Sequence, residues 1–272
     1  MQPLLERARE HAQRAGDAYE LAQIRQALVR AAAVGPMPVD EAVVQCQEIF
    51  EEASGDRLTE ALTSNGLAYL EAMRGRFDEA RRQGVSSRDV LNELGLTYTM
   101  AAMDAWIGEV ELLAGDADSA ARLWQEAYET LEALGEKGNF STIAACLAEA
   151  RYAQGRYDEA ERLTEVSEQA AFPDDFTSQV QWRATRSKVR AQHGDLVTAE
   201  GFAREAVDRA DETDLPSLRG AARTSLAEVL LMAGRLEEST DVIDEAVALY
   251  EAKGNTAAAA AASRLAQAFS AS

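Results

Sequence analysis

The chain has 272 residues, with 27 Lys and Arg against 47 Asp and Glu, a formal net charge of −20. That balance argues against a nucleic-acid backbone or an anionic membrane as the main partner. Two cysteines, Cys46 and Cys146, make a disulfide framework unlikely and fit a reducing cytoplasm. No apolar run of about 18 residues occurs, so no membrane span is expected, and the charged start Met1 to Ala15 does not look like a signal peptide. Few prolines, no strand-like alternation and abundant Ala, Leu, Glu and Arg predict an all-α protein.

Residues 2–15 read as a helix, with Leu4, Leu5, Ala8, Ala12 and Ala15 on one stripe and Gly16 at its end. It has the pattern of the second helix of a pair whose first is missing, a half-repeat over 1–16. This suggests an array that begins with a cap, or a piece separated from something upstream. Helix pairs follow over 17–54, 57–94, 97–135, 140–171, 176–210 and 215–252. In the first pair, Pro36 and Pro38 stop one helix and start the next. Residues 135–139 read as a turn, and Asp175 after Pro173 is placed to cap the helix that follows. A last helix over 255–270, with alanines from Ala257 to Ala262, then Leu265 and Phe269, is the predicted C-terminal cap.

The turns inside these pairs repeat. Gly155-Arg156-Tyr157-Asp158-Glu159-Ala160 matches Gly75-Arg76-Phe77-Asp78-Glu79-Ala80, with related turns at Gly115, Gly194 and Gly234. Successive spacings from Gly75 are 40, 40, 39 and 40, and Gly35 begins a degenerate copy with a longer turn. A fixed period with one turn chemistry is a repeat array. Gly supplies the positive φ that ends the first helix. The acidic pair sits where the next helix has its positive dipole end. Ala five residues after Gly lets the two helices approach closely.

This pattern resembles the tetratricopeptide repeat (TPR) family. A small residue stands seven before the turn glycine at Ala68, Gly108, Ala148, Ser187 and Ala227, while Leu28 breaks the pattern in the first copy. The resemblance spans nearly the whole chain, at a longer period than the family's usual 34 residues. It implies a right-handed superhelical solenoid whose first helices line a concave groove. By that analogy the groove takes Asn65, Tyr69, Met73, Glu109, Glu149, Tyr152, Lys188 and Glu228. The runs Leu70 to Arg81, Tyr152 to Thr164 and Ala227 to Arg235 further resemble the helical tails of bacterial signalling proteins. In those proteins a TPR tract follows adenylate/guanylate cyclase and ATPase domains; related tails occur on transcriptional activators. The resemblance implies a regulatory or scaffold part, with such an upstream domain as a partner.

Chemical motifs are sparse. There is no phosphate-binding Gly-x-x-x-x-Gly-Lys-Ser/Thr loop and no Gly-x-Ser-x-Gly elbow. His11 and His193 lie at opposite ends of the array, so neither a zinc pair nor a shared dyad is expected. Surface helix-end positions explain both better than proton transfer does. Buried packing explains Cys46 and Cys146 better than reactivity. Trp124 shares a helical stripe with Leu123, Ala127 and Tyr128 and reads as core; Trp106 and Trp182 are open to stacking on a ligand or to packing.

The stretch 176–193 departs from the acidic background: Arg183, Arg186, Lys188 and Arg190, with no acid. Three of these share a face at i, i+3 and i+7. They offer an anion site, or are neutralised by acids of stacked neighbours such as Glu149 and Glu228; the second is favoured. The expected function is a non-enzymatic protein or peptide interaction module without metal or cofactor. Its candidate groove residues are Tyr69, Glu109, Glu149, Tyr152, Arg183, Arg186, Lys188 and Arg190. The alternative is a small-molecule or anion sensor using the same groove. The sequence leaves the oligomeric state open.

Overall fold

The computed structural model describes the backbone of residues 2–270 and the side-chain surroundings of residues 4–265. Within them the chain forms helices and no strand. In order these are α1 (Gln2–Ala15), α2 (Ala18–Val34), α3 (Val39–Glu52), α4 (Arg57–Met73) and α5 (Phe77–Glu93). Next come α6 (Thr97–Leu113), α7 (Ala117–Leu134), α8 (Gly138–Ala153), α9 (Tyr157–Ala170) and α10 (Phe176–Gln192). The last are α11 (Leu196–Asp211), α12 (Pro216–Met232), α13 (Leu236–Lys253) and α14 (Thr256–Ser270). The side chain of Phe269 lies outside the described residues.

The turn chemistry sets the boundaries. Gly155 takes φ 73°, a left-handed value an L side chain resists, and the turn glycines from Gly75 to Gly234 do the same. Gly35 does not: at φ −73° it leaves α2 extended, which is why that turn is longer. A second left-handed series, Gly16, Gly55, Gly95, Gly135 and Gly254, ends helices on the opposite edge of the array. Asp17, Asp56, Asp116, Asp175 and Asp195 cap the helices that follow them, each accepting from a backbone N–H of the first turn. The start of α8 differs from the sequence reading. Residues 138 and 139 are helical, because the Glu136 carboxylate accepts from the N–H groups of Gly138, Asn139 and Phe140 at 2.8, 2.9 and 3.2 Å.

Each helix packs antiparallel on the next. The even-numbered helices from α2 to α14 also stack on one another, whereas the odd-numbered ones meet each other marginally at most. Close spacing on one layer and splaying on the other curve the array towards the even-numbered layer. Short side chains permit that spacing. Ala80, Ala120, Ala160, Ala199 and Ser239, five residues after each turn glycine, are completely buried. Gly108 is the tightest contact: a Cβ there would lie 2.2 Å from the indole of Trp124. That indole is fully buried and donates to the Asp104 carbonyl at 3.0 Å.

The curvature brings the end of the array back to its beginning. Helix α14 packs on α13 and α12, and across the ring on α4. Lys253 is completely buried there, its Nζ donating to the carbonyls of Ala32 at 2.8 Å and Met37 at 2.7 Å. The Thr256 hydroxyl donates to the Met73 carbonyl at 3.2 Å. These carbonyls lie at or just beyond helix C-termini, where a cation is electrostatically favoured. Burial nevertheless pushes the Lys253 ammonium down to about 8. Leu113, at the end of α6, packs against the cluster of Ala246, Tyr250, Ala258, Ala259 and Ala262.

Two outcomes follow from this packing. Gly108→Ala gains up to about 1 kcal/mol of helix propensity. Overpacking against Trp124 costs about 1–3 kcal/mol, so thermal denaturation is expected to show a net loss of stability. Lys253→Ala takes the side-chain donor from the buried Ala32 carbonyl, at about 1–3 kcal/mol, and removes one hydrogen bond to the Met37 carbonyl, partly offset by removing a buried charge. Hydrogen exchange is expected to quicken at the α2–α3 and α13–α14 turns and to stay unchanged at the α8–α9 turn.

Candidate functional site

The inner faces of the even-numbered helices surround the axis of the ring. One repeat position, six residues before each turn glycine, runs down this surface as a ladder. Its rungs are Tyr69 on α4, Glu109 on α6, Glu149 on α8, Lys188 on α10 and Glu228 on α12. The lower rungs satisfy one another. Lys188 forms an ion pair with Glu149, its ammonium 4.5 Å from the ring centre of Tyr152. Thr185 donates its hydroxyl to the other Glu149 oxygen at 2.7 Å. Tyr152 reaches past α10 and donates to Glu228 at 2.5 Å. Burial works against the charge on Glu149, but the Lys188 ammonium and the Thr185 hydroxyl outweigh it and hold the carboxyl below its ordinary range. Burial likewise opposes the charge on Lys188, and Glu149 and Glu228 more than restore it. The Tyr152 hydroxyl is pushed up, by burial first and then by Glu228.

The upper rungs are different. Tyr69 stacks on Trp106 with ring centres 5.6 Å apart and planes 13° from parallel. Glu109, one helical turn beyond Trp106, is enclosed by the ring yet only partly buried. Among the described residues it has neither a hydrogen-bond nor an ion-pair partner. Its charge is felt by Tyr69, by Cys146 on α8 and by Tyr250 on α13. Burial, and next the Glu149 carboxylate, push Glu109 up to about 7.

Arg183, Arg186 and Arg190 do not join this surface. Arg183 pairs with Glu205 on α11 at 3.2 Å and lies over the Trp182 ring. Arg186 pairs with Glu168 at 2.6 Å and donates to the Thr164 hydroxyl at 3.0 Å, both on α9. Arg190 pairs with Glu161 of α9 at 2.7 Å. The basic face thus turns into the seams between α10 and the outer layer, and Lys188 alone of the cluster stands on the ladder. Asn65 and Met73 are fully buried; Asn65 bonds to the Met103 carbonyl, between α4 and α6.

The remaining candidates have local explanations. Trp124 is core, and Trp182 is packed between Arg183, Arg186 and Phe202. Cys46 and Cys146 are buried free thiols; burial pushes Cys46 up to about 12 and Cys146 higher still, against nucleophilic use. His11 is exposed, and His193 caps α10 beside Tyr157. Among the described residues no three His, Cys, Asp or Glu side chains converge to hold a metal ion. None of the described helices is long and apolar enough to cross a membrane.

No protein-family model and no curated protein sequence matches the chain. Solved structures do. It is similar to NprR in complex with its cognate peptide NprX, at TM-score 0.64 and 15% identity, over 93% of this chain and 75% of that one. BtubC (BKLC) from P. vanneervenii gives TM-score 0.56 and 16% identity over 79% of this chain and 91% of that one. PH0952 from Pyrococcus horikoshii, a signal transduction ATPase with numerous domains and a tetratricopeptide repeat sensor, gives 0.50 and 12%, over 96% of this chain and 36% of that one. At such identities the likeness concerns the fold, which is a TPR-like solenoid of antiparallel helix pairs.

Sequence reasoning missed Tyr250 and Lys253. Both lie on an outer-layer helix, yet both act at the inner layer. The available signal was Gly220, where a Cβ would lie 2.7 Å from the Tyr250 ring. Like Gly108 against Trp124, this mid-helix glycine makes room for a neighbour's ring.

Glu109 makes a pH signature. Its carboxyl titrates near 4.5 when unfolded and at about 7 in the fold, so the native state holds the extra proton in between. Stability therefore falls as pH rises through that window. Glu109→Gln is expected to match the parent at pH 4 and exceed its unfolding free energy by about 1–3 kcal/mol at pH 8. Urea denaturation across pH 4–8 measures this. Asp104, buried beside Arg88 and also pushed up to about 7, leaves a residual slope of the same sign in both proteins.

Proposed function

We propose that this chain is a non-enzymatic interaction module that takes an extended peptide, or a segment of a partner protein, along the inner surface of its ring. The observation that carries the reading is the ladder. The interior of a merely structural ring is expected to be apolar or fully paired, whereas here aromatic rings and an unpartnered carboxylate face the axis. The peptide complex of NprR, which shares the fold, supports an extended ligand. We further propose that the module is the regulatory or scaffold part of a larger bacterial signalling protein in the cytoplasm, partnered with a cyclase or ATPase domain. The domain arrangement of PH0952 supports that part. The anion-sensor alternative loses its support in the pairing of Arg183, Arg186 and Arg190.

Selection of a random nonapeptide library on the protein tests the reading. Enriched peptides are expected to photo-crosslink from benzoylphenylalanine in place of Tyr152 and not from the same group in place of Val85 on α5. Absence of enrichment, or crosslinks from position 85 alone, removes the proposal.

A further inference from the structure

The ladder contains its own comparison. Glu109, Glu149 and Glu228 occupy one repeat position on successive inner helices, with Lys188 between the last two. Lys188 neutralises both neighbours, paired with Glu149 and attracted to Glu228, which Tyr152 also binds. Other acids on α4 and α6 are matched by arginines. Glu71 meets Arg74 at 3.1 Å and Arg76 at 3.5 Å, and Glu111 is held by Arg81 at 2.7 Å. Glu109 alone of the ladder carboxylates has no donor among the described residues. The rung above it, where a second lysine would give Glu109 the cation that Lys188 gives Glu149, is Tyr69.

The surroundings of Glu109 are aromatic. Tyr69 and Trp106 form a stacked pair beside Glu109, and Tyr250 on α13 is near enough to feel the charge of Glu109. A carboxylate next to ring faces attracts a cation doubly, by its charge and by the ring quadrupoles. An anion would meet Glu109 and Glu149 together, and a neutral chain would leave the carboxylate unpaired.

Building on the peptide reading above, we infer that Glu109, with Tyr69, Trp106 and Tyr250, is the subsite for a guanidinium or ammonium group of the ligand, supplied by a basic residue of the bound peptide. The bound cation takes the place on the ladder that a lysine would fill, as Lys188 does for Glu149. The same cationic chemistry belongs to free di- and polyamines, and the test separates the two sources.

The probes are a labelled nonapeptide pool with arginine fixed at its centre, the same pool with citrulline there, and free agmatine and spermidine. Fluorescence anisotropy reads the pools and calorimetry the amines, both at physiological salt, where non-specific attraction to an acidic surface is screened over about 8 Å. The arginine pool is expected to bind at least about tenfold more tightly than the citrulline pool, and Glu109→Gln is expected to erase the difference. The higher stability expected of Glu109→Gln at pH 8 excludes misfolding as the cause, and Glu48→Gln on α3 serves as the surface control. Amine binding that Glu109→Gln abolishes, without peptide binding, keeps the cation subsite and discards the peptide. Peptide binding indifferent both to citrulline and to Glu109→Gln discards the subsite and keeps the peptide. If no probe binds, both fall.

Discussion

The close approach of the even-numbered helices governs the rest of the structure. A helix bearing Leu or Phe along its contact stripe holds a neighbour at the wide end of the usual 8–10 Å range, and small residues bring it nearer. Ala68, Ala72, Ala144, Ala148 and Ala227 are fully buried in that layer. The outer layer has no comparable stacking. The difference in spacing between the two layers is a curvature, and a constant period adds the same increment at each repeat. The ring, its axis and the enclosure of the ladder are consequences of alanine and glycine at recurring positions.

Curvature alone would bring the two ends near each other without fixing them. The seam is fixed by polar contacts: an ammonium and a hydroxyl donating to backbone carbonyls at the ends of α2 and α4, backed by a small apolar cluster around Tyr250. Such a joint has directional geometry, because each carbonyl accepts along defined directions. It also buries little apolar surface compared with the helix pairs, and regions of that kind open at lower free energy than the body of a fold. Lys253 carries a cost of its own, visible in the downward shift of its ammonium, and that cost is tolerated because it defines where the last repeat sits.

Much of this was legible in the amino-acid sequence, for a physical reason. Gly75 to Gly234 recur because one left-handed turn is required at each joint, and a backbone requirement leaves a residue-type signature. The capping aspartates and the buried alanine after each turn are equally local. The inner ladder was also within reach, since Tyr69, Glu109, Glu149 and Lys188 keep a fixed distance from those glycines. What stayed hidden is everything that depends on closure. Lys253 bonds to residues more than two hundred positions earlier, and nothing in its own helix announces it. Arg183, Arg186 and Arg190 share a face by spacing, but spacing does not say whether that face meets solvent or the glutamates of α9 and α11. The direction of a face is a property of the packed neighbours, and the sequence of α10 contains only half of the pair.

The contrast between Glu149 and Glu109 shows how one fold position acquires two behaviours. Both stand on the same rung geometry, and burial disfavours the charge of each. Glu149 is held below its ordinary range and Glu109 is driven above it. The deciding difference is the pair of donors on α10, the Lys188 ammonium and the Thr185 hydroxyl, which Glu149 has and Glu109 lacks, its own outer neighbour on the ladder being Tyr69. A chain selected only for stability would be expected to hold a glutamine or a lysine-matched pair at position 109, since an unmatched enclosed carboxylate weakens the fold at neutral pH. Residues that lower stability where a simple replacement would raise it are characteristic of sites kept for binding. In this ring the stability cost and the aromatic lining fall at the same place, and that coincidence separates position 109 from the many other acids of a strongly acidic chain.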